Sequence, residues 1–119
     1  MRIAITSEGE ALQSAVDPRF GRAKYFVVVD TEMNVTAVIY NGANVNAAQG
    51  AGIKAGKRVS ELGVQALITG NVGPKAFEIL REGNVAVYTG ATGTVADAIE
   101  QFRAGNLKLA ESANVEGHW

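Results

Sequence analysis

Cysteine is absent from the 119 residues, which removes disulfides, zinc ribbons and thiolate-held iron–sulfur clusters in one step. Histidine is nearly absent: His118, second from the end, is the single one. A Ser-His-Asp arrangement would therefore need a tail residue, and no Gly-x-Ser-x-Gly elbow accompanies it. Neither sign of charge dominates, with 11 Lys and Arg against 12 Asp and Glu. No bulk attraction to nucleic acid or to an acidic membrane follows from that balance. Long hydrophobic runs are missing too. The first apolar stretch, around Ile3, Ala4 and Ile5, is too short for a signal-peptide core or a membrane-spanning helix, so a cytoplasmic protein is expected. Proline is scarce, at two residues, whereas glycine is abundant, at fourteen. With little low complexity, that balance implies many tight connections rather than disorder.

What the chain does contain is one domain's worth of alternating strand and helix signals, expected to span residues 1–119 with a tail from 106 onward. Arg2–Thr6 reads as a strand buried on both faces. Ser7–Lys24 is a long polar loop broken by Asp17, Pro18 and Gly21, and loops of that length tend to be functional. Tyr25–Val29 and Val35–Tyr40 are β-prone runs joined by a short polar turn, hence antiparallel neighbours. After the Asn-rich stretch 41–46, a helix from about Ala47 carries Ala51, Ala55, Val59 and Leu62 on one face and stops at Gly63. A buried strand at Ala66–Ile68 leads through Gly70 and Gly73 into a helix starting at Pro74, where a missing N–H costs nothing. The glycines there read as positions whose backbone angles a Cβ would oppose. Val85–Tyr88 is a further strand, and Thr94 an N-cap for a last helix with Val95, Ile99 and Phe102 inward.

The segments Gly63–Gly70 and Gly83–Gly90 echo one another at an offset of twenty, each a helix stop, a buried strand and Thr-Gly. Successive βα units of this kind lie side by side in a parallel sheet. The expected fold is α/β: a three-layer α/β/α domain with a five-stranded mixed sheet, order 3-2-1-4-5, and strand two antiparallel to the rest. The topology switches beside strand one, and ligands of open α/β sheets collect at strand carboxyl ends near such a switch. That edge gathers the loop after Thr6, the loop starting at Asn41, the Gly70–Gly73 turn and the Thr89–Gly93 turn. It sets Arg19, Phe20, Gly21 and Arg22 beside Asn71 and the helix start at Gly73. Two arginines facing a helix N-terminus make an anion-binding cleft.

Other chemistry fails on the residues. The stretch 51–58 resembles a Walker A loop, but Ala51 replaces its first glycine and Arg58 the Ser/Thr that would hold magnesium. Residues 50–55 fit a G-x-G-x-x-A pattern, yet they follow a hairpin, and the strand beyond supplies no acid for a ribose. A two-metal nuclease needs clustered carboxylates on the central strands, where this chain offers Thr6 and Ser7. Enzymatic hydrolysis is not expected. His118 reads either as a solvated tail residue or as one imidazole for a metal.

The stretch Asp17–Phe26, with Arg19-Phe20-Gly21-Arg22 at its centre, combines with Met1–Ile5, Gly50–Gly52, Thr69–Ala76, Thr94–Ile99 and Gly105–Leu107. Together they resemble the dinitrogenase iron–molybdenum cofactor biosynthesis family, which includes NifX-like proteins, nitrogenase accessory factors and the C-terminal domain of NifB. The resemblance covers nearly the whole chain. It implies a ribonuclease-H-like fold, a link to nitrogen fixation, and a non-catalytic protein that binds or carries an iron–sulfur cofactor precursor, with cluster-assembly proteins as partners. Without cysteine, such a cluster would be held transiently by the charges of Arg19, Arg22 and Lys75, by the helix start at Gly73, and by His118. The expected surroundings are Phe20, Gly21, Asn41, Gly70, Asn71 and Val72. A small-anion or nucleotide-binding regulatory domain using the same cleft is the competing expectation.

Overall fold

The computed structural model describes residues 1–30, 32, 34–42 and 50–113. The central strand β1 (Arg2–Ser7) pairs antiparallel with β2 (Tyr25–Asp30) and parallel with β4 (Ala66–Ile68). Outside β2 lies β3 (Val35–Tyr40), antiparallel to it. Outside β4 lies β5 (Ala86–Thr89), parallel to it. Three α-helices are described, α1 (Ala51–Ser60), α2 (Pro74–Glu82) and α3 (Val95–Arg103), and one 3-10 turn at Phe20–Arg22.

The layers follow from the period-2 alternation of side chains along each strand. Ala4, Phe26, Val28, Leu67 and Val87 share one face and bury against Ala55 and Val59 of α1 and Ala76, Phe77 and Leu80 of α2. Ile3, Ile5, Val27, Val29 and Ile68 share the other and bury against Val95, Ala98 and Ile99 of α3. Because both faces of β1, β2 and β4 are covered, these strands read as continuous apolar runs rather than alternating ones.

The strand order expected from the sequence holds, but the sheet has six strands, not five, in the order β3-β2-β1-β4-β5-β6. The addition is β6 (Lys108–Leu109), antiparallel to β5, so β2 is not the only reversed strand. Two exposed residues carry no alternation that could announce a strand. They pair because β5 would otherwise present an open edge. The Ala110 amide extends the contact to the Val87 carbonyl at 2.8 Å. Helix ends also differ in one detail. Gly63 and Gly105 adopt the left-handed conformation, but after α2 that role passes from Gly83 to Asn84, at φ 61°. The expected start of α1 near Ala47 lies outside the described residues.

Candidate functional site

β1, β3, β4 and β5 run in one direction, so the connections after Ser7, Tyr40, Ile68 and Thr89 all leave from one edge of the sheet. β2 begins at that edge, which brings the segment 8–24 back to it. Despite its polar composition the segment is seated: Val16, Asp17, Phe20, Gly21 and Ala23 are buried. A chain of buried polar groups at the ends of the two central parallel strands fixes it. The Thr6 hydroxyl donates to the Asp17 carbonyl at 2.7 Å and shares a 2.9 Å bond with the Thr69 hydroxyl. The Asp17 amide returns a bond to the Thr6 carbonyl at 3.0 Å.

From there the chain lies along the Gly70–Gly73 turn. The Asn71 amide donates to the Pro18 carbonyl at 2.8 Å, the Asn71 side-chain amide to the same oxygen at 3.1 Å, and the Phe20 amide to the Asn71 carbonyl at 3.2 Å. Arg19 thus pairs directly with Asn71, as one bridge of a parallel ladder. The expected juxtaposition of Arg19 and Asn71 is therefore present. The turn glycines are not there for the backbone angles expected of them. Gly70 is not among the residues with positive φ, and Gly73 is extended, at φ −82°. Gly70 is required instead by proximity: a Cβ there would stand 2.8 Å from both the Cα and the carbonyl oxygen of Pro18.

The expected site residues divide into an exposed set and a supporting set. Arg19 and Lys75 are exposed and Arg22 is half-buried. Phe20 is fully buried and stacks on Phe26 with ring centroids 5.7 Å apart, so its ring anchors the turn in the core beneath the edge. Gly21, Gly70, Val72 and Gly73 are buried backbone positions. Asn41 is buried and ties the end of β3 to the exit of the loop, donating its side-chain amide to Ala23 (2.8 Å) and its backbone amide to Lys24 (2.7 Å). His118 lies outside the described residues.

Two helix N-termini at this edge differ sharply. At α3 the Val95 and Ala96 amides are taken by the Ser14 and Leu12 carbonyls (2.9 and 2.8 Å), and Thr94 and Asp97 close a capping box. At α2 no side chain caps the end and no acid occupies the first turn. The Lys75 and Ala76 amides have no acceptor among the described residues. Of these two ends, α3 has its first amides occupied, while among the described residues nothing neutralises the partial positive charge of α2. Metal ligation is another matter: among the described residues no three His, Cys, Asp or Glu side chains lie together.

Sequence reasoning overlooked the Thr6–Thr69 pair and the seat of Asp17. Each threonine ends an apolar run on an adjacent parallel strand, a signal that becomes legible once the strand order is known. Burial pushes the Asp17 carboxyl up from its ordinary value, and Glu8 adds to that. The hydrogen bond from the Arg19 amide (3.0 Å) and the Arg19 charge partly offset it. Asp30 and Asp97 are held below their ordinary values, first by bonds from the backbone amides of Asn34 and Thr94 respectively. A raised carboxyl means that the native state holds the proton longer than the unfolded chain. Stability due to Asp17 is therefore highest when acidic and falls as pH rises through its folded pKa. Asp30 and Asp97 act oppositely, losing their contribution as pH falls below the ordinary carboxylate range. Urea unfolding across pH should thus show the wild type declining from mildly acidic toward neutral pH. Asp17→Asn, which keeps the acceptor for Arg19, should flatten that decline; an unchanged slope would remove Asp17 as its source.

The fold and its edge define a small α/β protein whose Arg19-bearing turn is paired to the segment leading into α2. The chain belongs to the dinitrogenase iron–molybdenum cofactor family, whose profile matches residues 1–105. The apo form of the orange protein from Desulfovibrio gigas is 41% identical, with 96% of each chain covered and a TM-score of 0.89. A candidate NifB protein from Thermotoga is 42% identical, with 98% of each chain covered and a TM-score of 0.82. An uncharacterized protein of Methanocaldococcus jannaschii is 30% identical over 114 residues, covering 93% of this chain and 92% of its own.

Proposed function

We propose that this protein is a non-catalytic carrier of an anionic iron–sulfur metallocluster of the iron–molybdenum-cofactor-precursor kind. The cargo sits at the strand edge between the Arg19–Arg22 turn and the start of α2. The observation that carries this reading is the Arg19–Asn71 pairing, which holds a cationic turn against a helix end whose Lys75 and Ala76 amides meet no acceptor among the described residues. Membership of a family named for the iron–molybdenum cofactor supplies the class of cargo. A relative described as the apo form of an orange protein is in keeping with a coloured group that enters and leaves.

With no thiolate anywhere in the sequence, the cargo is held by charge and by N–H donors rather than by a set of covalent ligands. Arg19, Arg22 and Lys75 supply the charge, the backbone of Gly70–Gly73 shapes the floor, and Phe20 and Asn41 keep the turn and loop in place. His118 is the one imidazole that could add a direct bond to metal. Binding of this kind is weak, salt-sensitive and exchangeable, which is what delivery to a cluster-assembly partner requires.

Anaerobic titration with a purified cluster precursor, followed by visible absorption, tests the proposal. Saturable binding is expected for the wild type, with affinity reduced about 10-fold in Arg19→Ala, on the scale of one charge-assisted contact of roughly 1.5 kcal/mol. Raising the salt should weaken the wild type more than the variant. Absence of binding by the wild type would refute the carrier role, while equal binding by Arg19→Ala and His118→Ala would refute only the placement of the cargo. A thermal-shift screen with phosphates and nucleotides separates the regulatory-domain alternative, because a tight ligand of that class would raise the unfolding temperature.

A further inference from the structure

The two edges of the sheet are unequal. β6 has two residues and carries Lys108, both features that discourage a further strand. β3 has six residues, none charged and none proline, and is paired on one side only among the described residues. Val29 pairs with Val35 and Val28 with Ala37, so Thr36 is an extra bulged residue, its hydroxyl donating to the Val28 carbonyl at 3.2 Å. Ala37–Tyr40 remains as a regular ladder. Val35 and Tyr40 are two of the four exposed large hydrophobic residues among the described ones, at 42% and 54%. By register, Val35, Val38 and Tyr40 lie on the α3 side of the sheet, beside Val29, Val27 and Tyr25. The Tyr25 and Tyr40 rings pack 5.5 Å apart there.

The charges flanking this apolar strip have opposite signs at its two ends. Asp30 and Glu32 stand at the hairpin end. Exposed Lys24 stands at the other, its carbonyl accepting the Asn41 amide at 2.7 Å. We propose that the protein self-associates through β3, the edge strand of one copy lying antiparallel to that of a second around a twofold axis normal to the sheet. In that arrangement the Lys24 end of each copy faces the Asp30–Glu32 end of the other, twice over, and the α3-side residues Val38 and Tyr40 continue one apolar strip across the seam. Parallel addition would set like charges together at both ends, and a foreign strand has no reason to match this pattern. An edge this short buries less than the ~1,200 Å² of a standard interface, so the dimer is weak and concentration-dependent. The axis reverses the strands, so the two Arg19-bearing edges point in opposite directions and both stay open. The association therefore stands or falls independently of the carrier role.

Sedimentation equilibrium from about 10 µM to about 1 mM, the range in which small interfaces assemble, provides the test. The wild-type mass is expected to rise toward twofold, Lys24→Glu to remain monomeric, and Lys24→Glu combined with Glu32→Lys to dimerise again. Both positions are exposed, and far-UV circular dichroism checks that each variant is folded. A wild type monomeric throughout, a Lys24→Glu variant that still dimerises, or a double variant that does not recover would each overturn the proposal.

Discussion

Replacing Gly70 with alanine is expected to lower stability by about 2–3 kcal/mol, at the upper end of the range for overpacking. For a domain of this size that is a fall of roughly 10 °C in unfolding temperature. The added Cβ would meet Pro18 at 2.8 Å, and the atoms in the way are backbone, which cannot rotate aside as a side chain can. Relief requires the Pro18–Arg19 segment to lift from Asn71, so the same substitution should weaken the proposed cargo binding along with stability. Gly52→Ala is the matched control, since its Cβ would reach only ordinary contact, 3.4 Å from the Ala76 Cβ. Its melting temperature should stay the same or rise slightly, alanine being the better helix former by up to ~1 kcal/mol. Equal melting temperatures for wild type and Gly70→Ala would show that the loop does not need its close seat.

Thr6→Val should cost a similar amount by a different route. Valine matches threonine in shape but removes the hydroxyl that donates to the Asp17 carbonyl and bonds Thr69. Two buried groups then lose a partner, at about 1–3 kcal/mol for each one left unsatisfied, and a loss of roughly 2–4 kcal/mol is expected by urea unfolding. Thr69→Val added to Thr6→Val should cost less than the sum of the single changes, because it removes the very hydroxyl that the first change orphaned. Strict additivity would mean that the two threonines are not coupled across β1 and β4.

The same contacts explain which features could be read from the residues. Strand order was legible because apolar runs, the hairpin at 30–35 and the repeated helix-stop, strand, Thr-Gly unit are local patterns with few topological solutions. The last helix was legible because Thr94 and Asp97 form a capping box within one turn. β6 was not, since two residues hold no pattern and their pairing is dictated by the open side of β5. The role of Gly70 was also hidden, because a glycine needed for close approach and one needed for left-handed backbone look identical in sequence.

At the candidate site, the sequence by itself determined the donor types: arginines and lysine in place of thiols, a glycine turn opening into a proline-started helix, and an order of strands that brings them to one edge. Tertiary structure decided their availability. The starts of α2 and α3 both face this edge with their dipoles alike. The carbonyls of Leu12 and Ser14 occupy the one at α3, while among the described residues no acceptor meets the Lys75 and Ala76 amides of α2 beside Arg19. That difference depends on where residues 8–24 come to rest. Long-range contacts with Thr6, Thr69 and Asn71 settle that position, and no local pattern within the loop encodes it.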